Sequence, residues 1–168
     1  VGEYQNILFL EAARMMKTKY PTQVAVAMVS YLPVPGSIGE MKTKPTQYAA
    51  RSLNAAGLQA DFIIARSKLP LDEKRKEKIS IFCNTPVAHV VSAPDVDSIY
   101  DVPLNFERDK LGDAICRTLD LPCQKADLSA WKKFVKRAKT VEEELPIAVV
   151  GKYFETGDFL LGDVYISV

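Results

Sequence analysis

Apolar residues are arranged along this chain in short continuous runs separated by longer periodic stretches. The short runs have strand length and predict buried, parallel strands over Val24–Tyr31, Asp61–Arg66 and Ala88–Ser92. The longer stretches have helical spacing and predict helices over Asn6–Lys17, Pro45–Ala56, Leu71–Cys83 and Leu104–Leu119. On the third of these helices the predicted apolar stripe is Leu71, Ile79 and Phe82. Because strands alternate with helices, the pattern predicts an α/β fold with a doubly wound, mostly parallel sheet.

The pattern changes after residue 122. Asp127–Lys139 predicts an amphipathic helix, with Leu128, Trp131, Phe134 and Val135 on its apolar side. A polar, acidic linker follows over Thr140–Pro146, and the apolar run Ile147–Tyr153 predicts the first strand of a new domain. We therefore expect a domain boundary near residue 142.

Composition and charge narrow the functional classes. Of 168 residues, 48% are hydrophobic and 26% charged, and the net charge is +1, which argues against a nucleic acid or a membrane surface recruited by bulk charge. No apolar run reaches the roughly 20 residues of a membrane span, and the first ten residues lack a signal peptide pattern. The three cysteines, Cys83, Cys116 and Cys123, form no CxxC pair. A reducing, cytoplasmic location is expected, without a disulfide framework or a cysteine metal site.

The segment GEMKTKPTQ, Gly39–Gln47, is the strongest candidate for chemistry. Lys42 and Lys44 lie just before a predicted helix start, where the helix dipole disfavours cations unless an anion is also bound. Together with the hydroxyls of Thr43 and Thr46 and the free helix N–H groups, they have the composition of a phosphate site. A solvated basic loop, with threonine as a plain helix cap, fits the same spacing, so the residues alone leave both interpretations open.

Four segments in the same order resemble the amidoligase domain of CTP synthases. They are Val1–Arg14, the motif Gly39–Gln47, Pro70–Asn84 and Ser92–Pro103. The run IAVVGKY, Ile147–Tyr153, is similar to the first strand of that family's glutaminase domain.

The resemblance implies a fold and an activity. The expected fold is a P-loop-type amidoligase domain, similar to dethiobiotin synthetase, joined through a linker to a class I glutamine amidotransferase domain. The corresponding boundaries are 1–126 for the amidoligase part, 127–145 for the linker helix and linker, and 146–168 for the start of the glutaminase domain. The implied reaction makes CTP from UTP, with ATP and ammonia from glutamine, in a homotetramer that needs Mg²⁺. GTP and glutamine would act through the glutaminase domain.

The resemblance also implies site residues. The UTP site, which overlaps the site of feedback inhibition by CTP, would comprise Lys42, Thr43, Lys44, Pro45, Thr46, Gln47 and Lys78, together with Glu3, Tyr4 and Gln5. Pro94, Asp95 and Val96 would border the ATP adenine. Without the resemblance, Lys78 is one more lysine on a charged helix. Asp95 and Asp97 alone give a weak suggestion of a metal site, and turn or cap positions are the commoner role for such aspartates. Glu3, Tyr4 and Gln5 replace the more usual Asp-Ile-Glu, so Tyr4 and Gln5 depart from the family pattern.

The same resemblance places other functional parts outside this chain. The phosphate loop and the Mg²⁺ ligands would lie upstream and the glutaminase triad downstream, so we expect a piece incomplete at its N-terminus, with no catalytic or metal-binding residue of its own. It would supply nucleotide recognition and tetramer contacts and be inactive alone. His89 is expected to be a packed histidine. Two alternatives remain: a stand-alone regulatory module that binds pyrimidine nucleotide, and an amidoligase for a non-nucleotide substrate, which GEMKTKPTQ argues against.

Overall fold

The computed structural model describes residues 3–36, 39–141, 143, 145–152, 155–156 and 159–160. The chain forms two compact units, Val1–Val135 and Lys136–Val168. The first unit is built on a sheet of three parallel strands in the order β1-β2-β3. These strands are β1 (Ala27–Leu32), β2 (Phe62–Ser67) and β3 (Val90–Pro94).

Within the described residues, six helices precede, cover or follow the sheet. They are α1 (Glu3–Lys19), α2 (Lys44–Ala55), α3 (Glu73–Cys83), α4 (Val102–Arg108), α5 (Leu111–Thr118) and α6 (Ser129–Lys139). Short 3₁₀ turns, Val87–His89 and Ile99–Asp101, come before β3 and α4. None of the described helices is both long and apolar enough to cross a membrane.

The sheet is covered on both faces by helices. On one face, Ile63 of the central strand packs in a cluster with Ala50 of α2 and Ile79 of α3. On the other face, Ile64 packs in a cluster with Leu111 and other residues of α5. Alternate residues of β2 point to opposite faces, so its continuous apolar run serves both cores. The predicted α/β fold with a parallel, doubly wound sheet is confirmed.

Strand β1 departs from the prediction that each strand is buried on both faces. Val29 is 68% exposed and Tyr31 58% exposed, whereas Leu32 is fully buried. Val29 pairs with Ile64, so the two side chains lie on the same face of the sheet. Helix α5 packs on this face at Ile64, whereas Val29 of β1 is left exposed.

The predicted helix Leu104–Leu119 is divided into α4 and α5. Lys110 at the break has a left-handed backbone, with φ of 53°. The preceding residue, Asp109, is held by tertiary contacts: its carboxylate accepts hydrogen bonds from the backbone N–H of Ser92 at 2.7 Å and from Lys76 Nζ at 3.1 Å. The expectation of one helix was therefore wrong, because contacts with β3 and α3 hold the chain at the point where it turns.

The predicted apolar stripe on α3 also needs a correction. Ile79 is fully buried, but Phe82 is 56% exposed, and Cys83 is buried in its place. On a helix, positions 79 and 83 lie one turn apart on the same face, which position 82 only borders. Burial raises the pKa of the Cys83 thiol, in keeping with a packing role.

Helix α6 begins at Ser129, two residues later than predicted. The Asp127 carboxylate accepts a hydrogen bond from the Ser129 N–H at 2.9 Å just before this start. Trp131 Nε1 donates to the carbonyl of Tyr100 at 2.9 Å, and the rings of Trp131 and Phe134 pack against the Tyr100 ring. These contacts attach the first part of α6 to the turn Ile99–Asp101.

The second unit contains a short antiparallel pair, β4 (Glu155–Thr156) with β5 (Phe159–Leu160). The strand predicted over Ile147–Tyr153 is not formed in residues 147–152, and residue 153 lies outside the described residues. Ile147 is 75% exposed and Val150 97% exposed. A buried strand needs neighbours for its backbone, and the described part of this unit pairs only the two-residue strands β4 and β5.

Candidate functional site

The candidate site begins where β1 ends. The connection to α2 folds back on itself, since the N–H of Lys42 donates to the Pro33 carbonyl at 2.9 Å and that of Gly39 to the Pro35 carbonyl at 2.9 Å. Gly39 has φ of 66°, a left-handed conformation that glycine adopts without strain. The loop therefore brings the basic motif to the carboxyl end of the sheet, which is where open α/β sheets bind ligands.

The N-terminus of α2 receives no side-chain cap from Thr43, its N-cap residue. The Thr43 hydroxyl instead accepts a hydrogen bond from Gln47 Nε2 at 3.2 Å. The first turn contains no acidic residue, and Pro45 lies in it. Uncapped N–H groups at the positive end of a helix dipole favour an anion at this position.

The other hydroxyl of the motif has a structural partner. Thr46 is fully buried, and its Oγ1 lies 2.9 Å from the Oγ of Ser30 on β1. Gln47 is also buried, at 9% exposure. Thr46 and Gln47 thus connect α2 to its surroundings and do not line the cavity next to the loop.

That cavity has a volume of about 520 Å³ and lies between the loop and α3. The loop contributes Glu40, Met41, Lys42 and Thr43, the first residue of α2 contributes Lys44, and α3 contributes Lys74, Arg75 and Lys78. We call it the basic cavity. Among the residues that the structure describes, its wall combines five cationic side chains with a single carboxylate, an imbalance that favours an anionic ligand.

The single carboxylate, Glu40, contacts cations from both walls. Lys42 Nζ donates to Glu40 Oε2 at 2.7 Å, and Arg75 Nη2 lies 3.9 Å from Glu40 Oε1. The hydrogen bond from Lys42 and its charge lower the pKa of Glu40, the more distant charges of Arg75 and Lys78 contribute, and partial burial opposes the shift. Glu40 is therefore ionised at neutral pH and partly neutralises the cavity.

Arg75 is held in the cavity wall by the cap of its own helix. Asp72, the N-cap of α3, accepts a hydrogen bond from the Arg75 backbone N–H at 2.7 Å and another from Arg75 Nη1. The backbone hydrogen bond is the main cause that lowers the pKa of Asp72. One edge of the guanidinium is thus fixed by Asp72, and the other nitrogen, Nη2, is the one nearer Glu40.

The lysines of α3 have two different environments, a salt bridge and the basic cavity. Lys76 forms a salt bridge with Asp109 at 3.1 Å and does not line the basic cavity. Lys74 and Lys78 line the cavity, and neither forms a salt bridge with any residue that the structure describes. Lys44, the first residue of α2, also lines the cavity without a salt bridge to any described residue.

A second cavity, of about 300 Å³, lies at the ends of β2 and β3. Its lining residues are Lys68, Pro70, Pro94, Asp95, Val96, Asp97, Asp101 and Asn105. The backbone N–H of Asp95 donates to the Ser67 carbonyl at 2.9 Å, and its carboxylate pairs with Arg66 at 3.0 Å. The three residues expected near the ATP adenine therefore share one cavity wall.

The structure brings some of the expected nucleotide residues together and separates others. Lys42, Thr43, Lys44 and Lys78 share the basic cavity, although Lys78 comes from a different element. Glu3, Tyr4 and Gln5 lie at the start of α1 and are not among the residues that line it. Tyr4 is 88% exposed, and the side chain of Glu3 lies outside the described residues.

Sequence reasoning missed three charged residues of the basic cavity, Glu40, Lys74 and Arg75, and the apolar Met41. Lys74 and Lys78 are four residues apart, and Arg75 and Lys78 three apart, so helical spacing already put these cations on one side of α3. The sequence alone does not tell which side of α3 faces the loop. Glu40 lay inside the motif, but its role depends on Arg75, which is distant in sequence.

The residues of the basic cavity do not fit a protein-held Mg²⁺, since Mg²⁺ prefers carboxylate and phosphate oxygens and the single carboxylate is paired with cations. Across the described residues, no group of three His, Cys, Asp or Glu side chains could hold a metal ion. His89 has a structural environment, with Nδ1 2.9 Å from the Asp61 carbonyl and its ring stacked on Phe62.

A parallel α/β sheet with a basic cavity at the carboxyl end of a strand is typical of α/β proteins that bind phosphorylated ligands. Residues 1–121 match the family model described as the CTP synthase N-terminus. The chain belongs to this family.

Individual relatives agree with the family match. The chain is 40% identical over its full length to a CTP synthase of Caldanaerobacter subterraneus subsp. tengcongensis and 41% identical over its full length to one of Thermococcus gammatolerans. It is 43% identical, over 94% of its length, to a CTP synthase of Pyrococcus horikoshii. The chain spans 30–31% of the length of these relatives.

Proposed function

We propose that this chain forms the pyrimidine-nucleotide recognition part of a CTP synthase, an ATP-dependent C–N ligase that converts UTP to CTP with ammonia from glutamine. The basic cavity binds the triphosphate of UTP, and of CTP as feedback inhibitor. The printed names of the relatives and the family match support the reaction class.

The observation that carries this proposal is the charge balance of the cavity. Five cations and the uncapped start of α2 face a volume of about 520 Å³ with one carboxylate among them. A triphosphate supplies the negative charge that this wall lacks, and phosphate oxygens accept hydrogen bonds from both ammonium groups and helix N–H groups. Lys42, Lys44 and Lys78 supply the charges, while Pro45, Thr46 and Gln47 hold the helix start in place.

The remaining parts of the proposal follow from the family. The second cavity, with Pro94, Asp95 and Val96 in its wall, is assigned to the adenine of ATP, and Mg²⁺ is assigned to residues outside this chain. Glu3, Tyr4 and Gln5 are assigned to the nucleotide, and the full protein is assigned to a homotetramer. Residues 1–126, 127–145 and 146–168 correspond to the amidoligase part, the linker and the start of a glutaminase domain that handles glutamine and GTP. A cytoplasmic location completes the assignment.

The test is Lys42→Ala in the full protein. We expect UTP affinity and CTP inhibition to fall together, by about tenfold or more, because both nucleotides use the same charge-assisted contacts. Glutamine hydrolysis is expected to survive. Isothermal titration with UTP and CTP, together with a glutaminase assay, measures the three properties separately.

The matched control is Lys133→Ala, which removes an exposed lysine from α6, far along the chain from the cavity residues. It is expected to leave all three properties unchanged. A Lys42→Ala protein that loses only glutaminase activity would overturn the assignment of the loop. Tight UTP binding without CTP formation by the wild type would favour a regulatory module over an enzyme.

A further inference from the structure

Glu40 contacts cations from both walls of the basic cavity, one on the loop and one on α3. Its two carboxylate oxygens face different partners: Oε2 accepts from Lys42 of the loop at 2.7 Å, and Oε1 lies 3.9 Å from Nη2 of Arg75 on α3. A carboxylate and a phosphate have similar acceptor geometry toward such cations. The contacts of Glu40 therefore show where an anion can bridge the loop and α3.

The Arg75 side chain is already held in place by contacts within the protein, in an orientation that suits anion binding. Asp72 holds its backbone N–H and its Nη1, and only 28% of its side chain is exposed. A planar guanidinium fixed at one edge loses little further freedom when its other edge binds an anion. Lys74 and Lys78 have longer flexible ends and no such carboxylate contact among the described residues.

We propose that Arg75 and Lys42 clamp one phosphate group of the bound nucleotide, and that Glu40 is an internal anion which this phosphate displaces. This inference rests on the proposed function and adds two residues to it: Arg75 as a ligand-binding residue and Glu40 as a residue that sets the affinity of the site. No covalent step is involved.

Displacement of Glu40 requires little rearrangement. The Glu40 side chain is 58% exposed, and that of Lys42 38% exposed, so their ion pair can open toward solvent without disturbing either core cluster. Exposed ion pairs contribute little stability. A triphosphate carries several negative charges and also contacts the other cations of the cavity, so it can replace Glu40 as the partner of Lys42 and Arg75.

The test measures the affinity of the full protein for UTP and for inorganic tripolyphosphate by isothermal titration at low salt, where surface charge effects are largest. Glu40→Gln keeps the size of the side chain but removes its charge, and is expected to tighten both ligands by about threefold or more. Arg75→Gln is expected to weaken both by about tenfold, since a charge-assisted contact is lost. Arg75→Lys should give an intermediate loss of affinity, because lysine keeps the positive charge but lacks the planar guanidinium that donates two parallel hydrogen bonds.

Two controls separate these effects from general charge changes and from misfolding. Glu77→Gln removes an exposed carboxylate of the same helix that does not line the cavity, and Arg117→Gln removes an exposed arginine of α5. Both should leave affinity unchanged. Thermal unfolding of every variant confirms the fold, and Glu40→Gln keeps the test decisive if Arg75→Gln fails to fold.

The outcomes distinguish this inference from the proposed function. UTP binding that Glu40→Gln and Arg75→Gln leave unaltered overturns the clamp, while the nucleotide site stands. If both variants change the affinity for tripolyphosphate, and UTP binds no more tightly than tripolyphosphate, the clamp is supported and the pyrimidine assignment is overturned. If Glu40→Gln weakens binding, then Glu40 is not a competing anion and the inference is wrong.

Discussion

The hydroxyl of Thr46 on α2 and the hydroxyl of Ser30 on β1 lie 2.9 Å apart in the core of the first unit. Thr46 is fully buried and Ser30 is 8% exposed, so this contact fixes the start of α2 against the sheet. The basic motif is therefore positioned from inside the protein, by a residue of the motif itself.

This contact predicts a loss of stability in Thr46→Val. The substitution preserves shape but leaves the Ser30 hydroxyl buried without its partner, which costs about 1–2 kcal/mol in the free energy of unfolding. Urea denaturation measures the loss. The double variant Ser30→Ala with Thr46→Val removes both polar groups and should recover part of it, and a double variant no better than Thr46→Val would show that the hydroxyl pair is not the cause.

Asp109 supports a second stability prediction. Its carboxylate joins Lys76 of α3 to the backbone of β3 at the break between α4 and α5, and its side chain is 17% exposed. Asp109→Ala leaves Lys76 and the Ser92 N–H without these contacts, so we expect a loss of about 2 kcal/mol or more, measured by denaturant unfolding. Asp113→Ala, which changes a carboxylate of the neighbouring helix, is the control and should cost clearly less.

The cap of α3 gives a prediction about pH. Hydrogen bonds from Arg75 lower the pKa of Asp72, so its stabilising effect is present above the pKa of an unfolded aspartate, about 4, and disappears as pH falls through the lower folded value. The melting temperature of Asp72→Ala should be below that of the wild type at neutral pH. The difference should shrink in acid, and a constant difference across this range would contradict the linkage.

Helix α6 contains the one tryptophan of the chain, which makes its attachment measurable. Phe134→Ala removes a ring that packs on both Tyr100 and Trp131. We expect Trp131 emission to shift to longer wavelength and the stability of the first unit to fall by about 1 kcal/mol. Lys132→Ala changes the residue next to Trp131 without removing a ring, and the same shift in that variant would argue against the aromatic contact.

Lys78 offers the sharpest test of which lysines belong to the nucleotide site. Lys78→Ala is expected to weaken UTP binding by about threefold to tenfold, since it lines the basic cavity and has no salt bridge among the described residues. Lys139→Ala, at the end of α6, is the comparison and should leave titration with UTP unchanged. Equal losses in both variants would indicate a general charge effect instead of a site.

Much of the fold could be predicted because its signals are local. The continuous apolar runs around Ile64 and Val91 indicate buried parallel strands, and Pro45 marks a helix start where the structure has one. The failures depend on contacts between distant residues. Asp109 ends α4 through Ser92 and Lys76, which no local pattern contains.

The candidate site shows the same division. Its basic loop was evident from the spacing of Lys42 and Lys44, and Lys78 came from the family resemblance. Arg75 was missed because its position depends on how α3 packs beside the loop. The motif did not reveal that the Thr46 hydroxyl lies next to Ser30 in the core, because that contact depends on how α2 packs on β1; the assignment of Thr46 to the nucleotide site stays a prediction.

The turn Ile99–Asp101 contacts two different parts of the first unit. Tyr100 receives the hydrogen bond and ring contacts of Trp131, and its neighbour Asp101 lines the second cavity. Adjacent residues in one 3₁₀ turn share a backbone and cannot shift independently. A single 3₁₀ turn thus lines the second cavity and also receives the start of α6, so a substitution that distorts this turn is expected to disturb both.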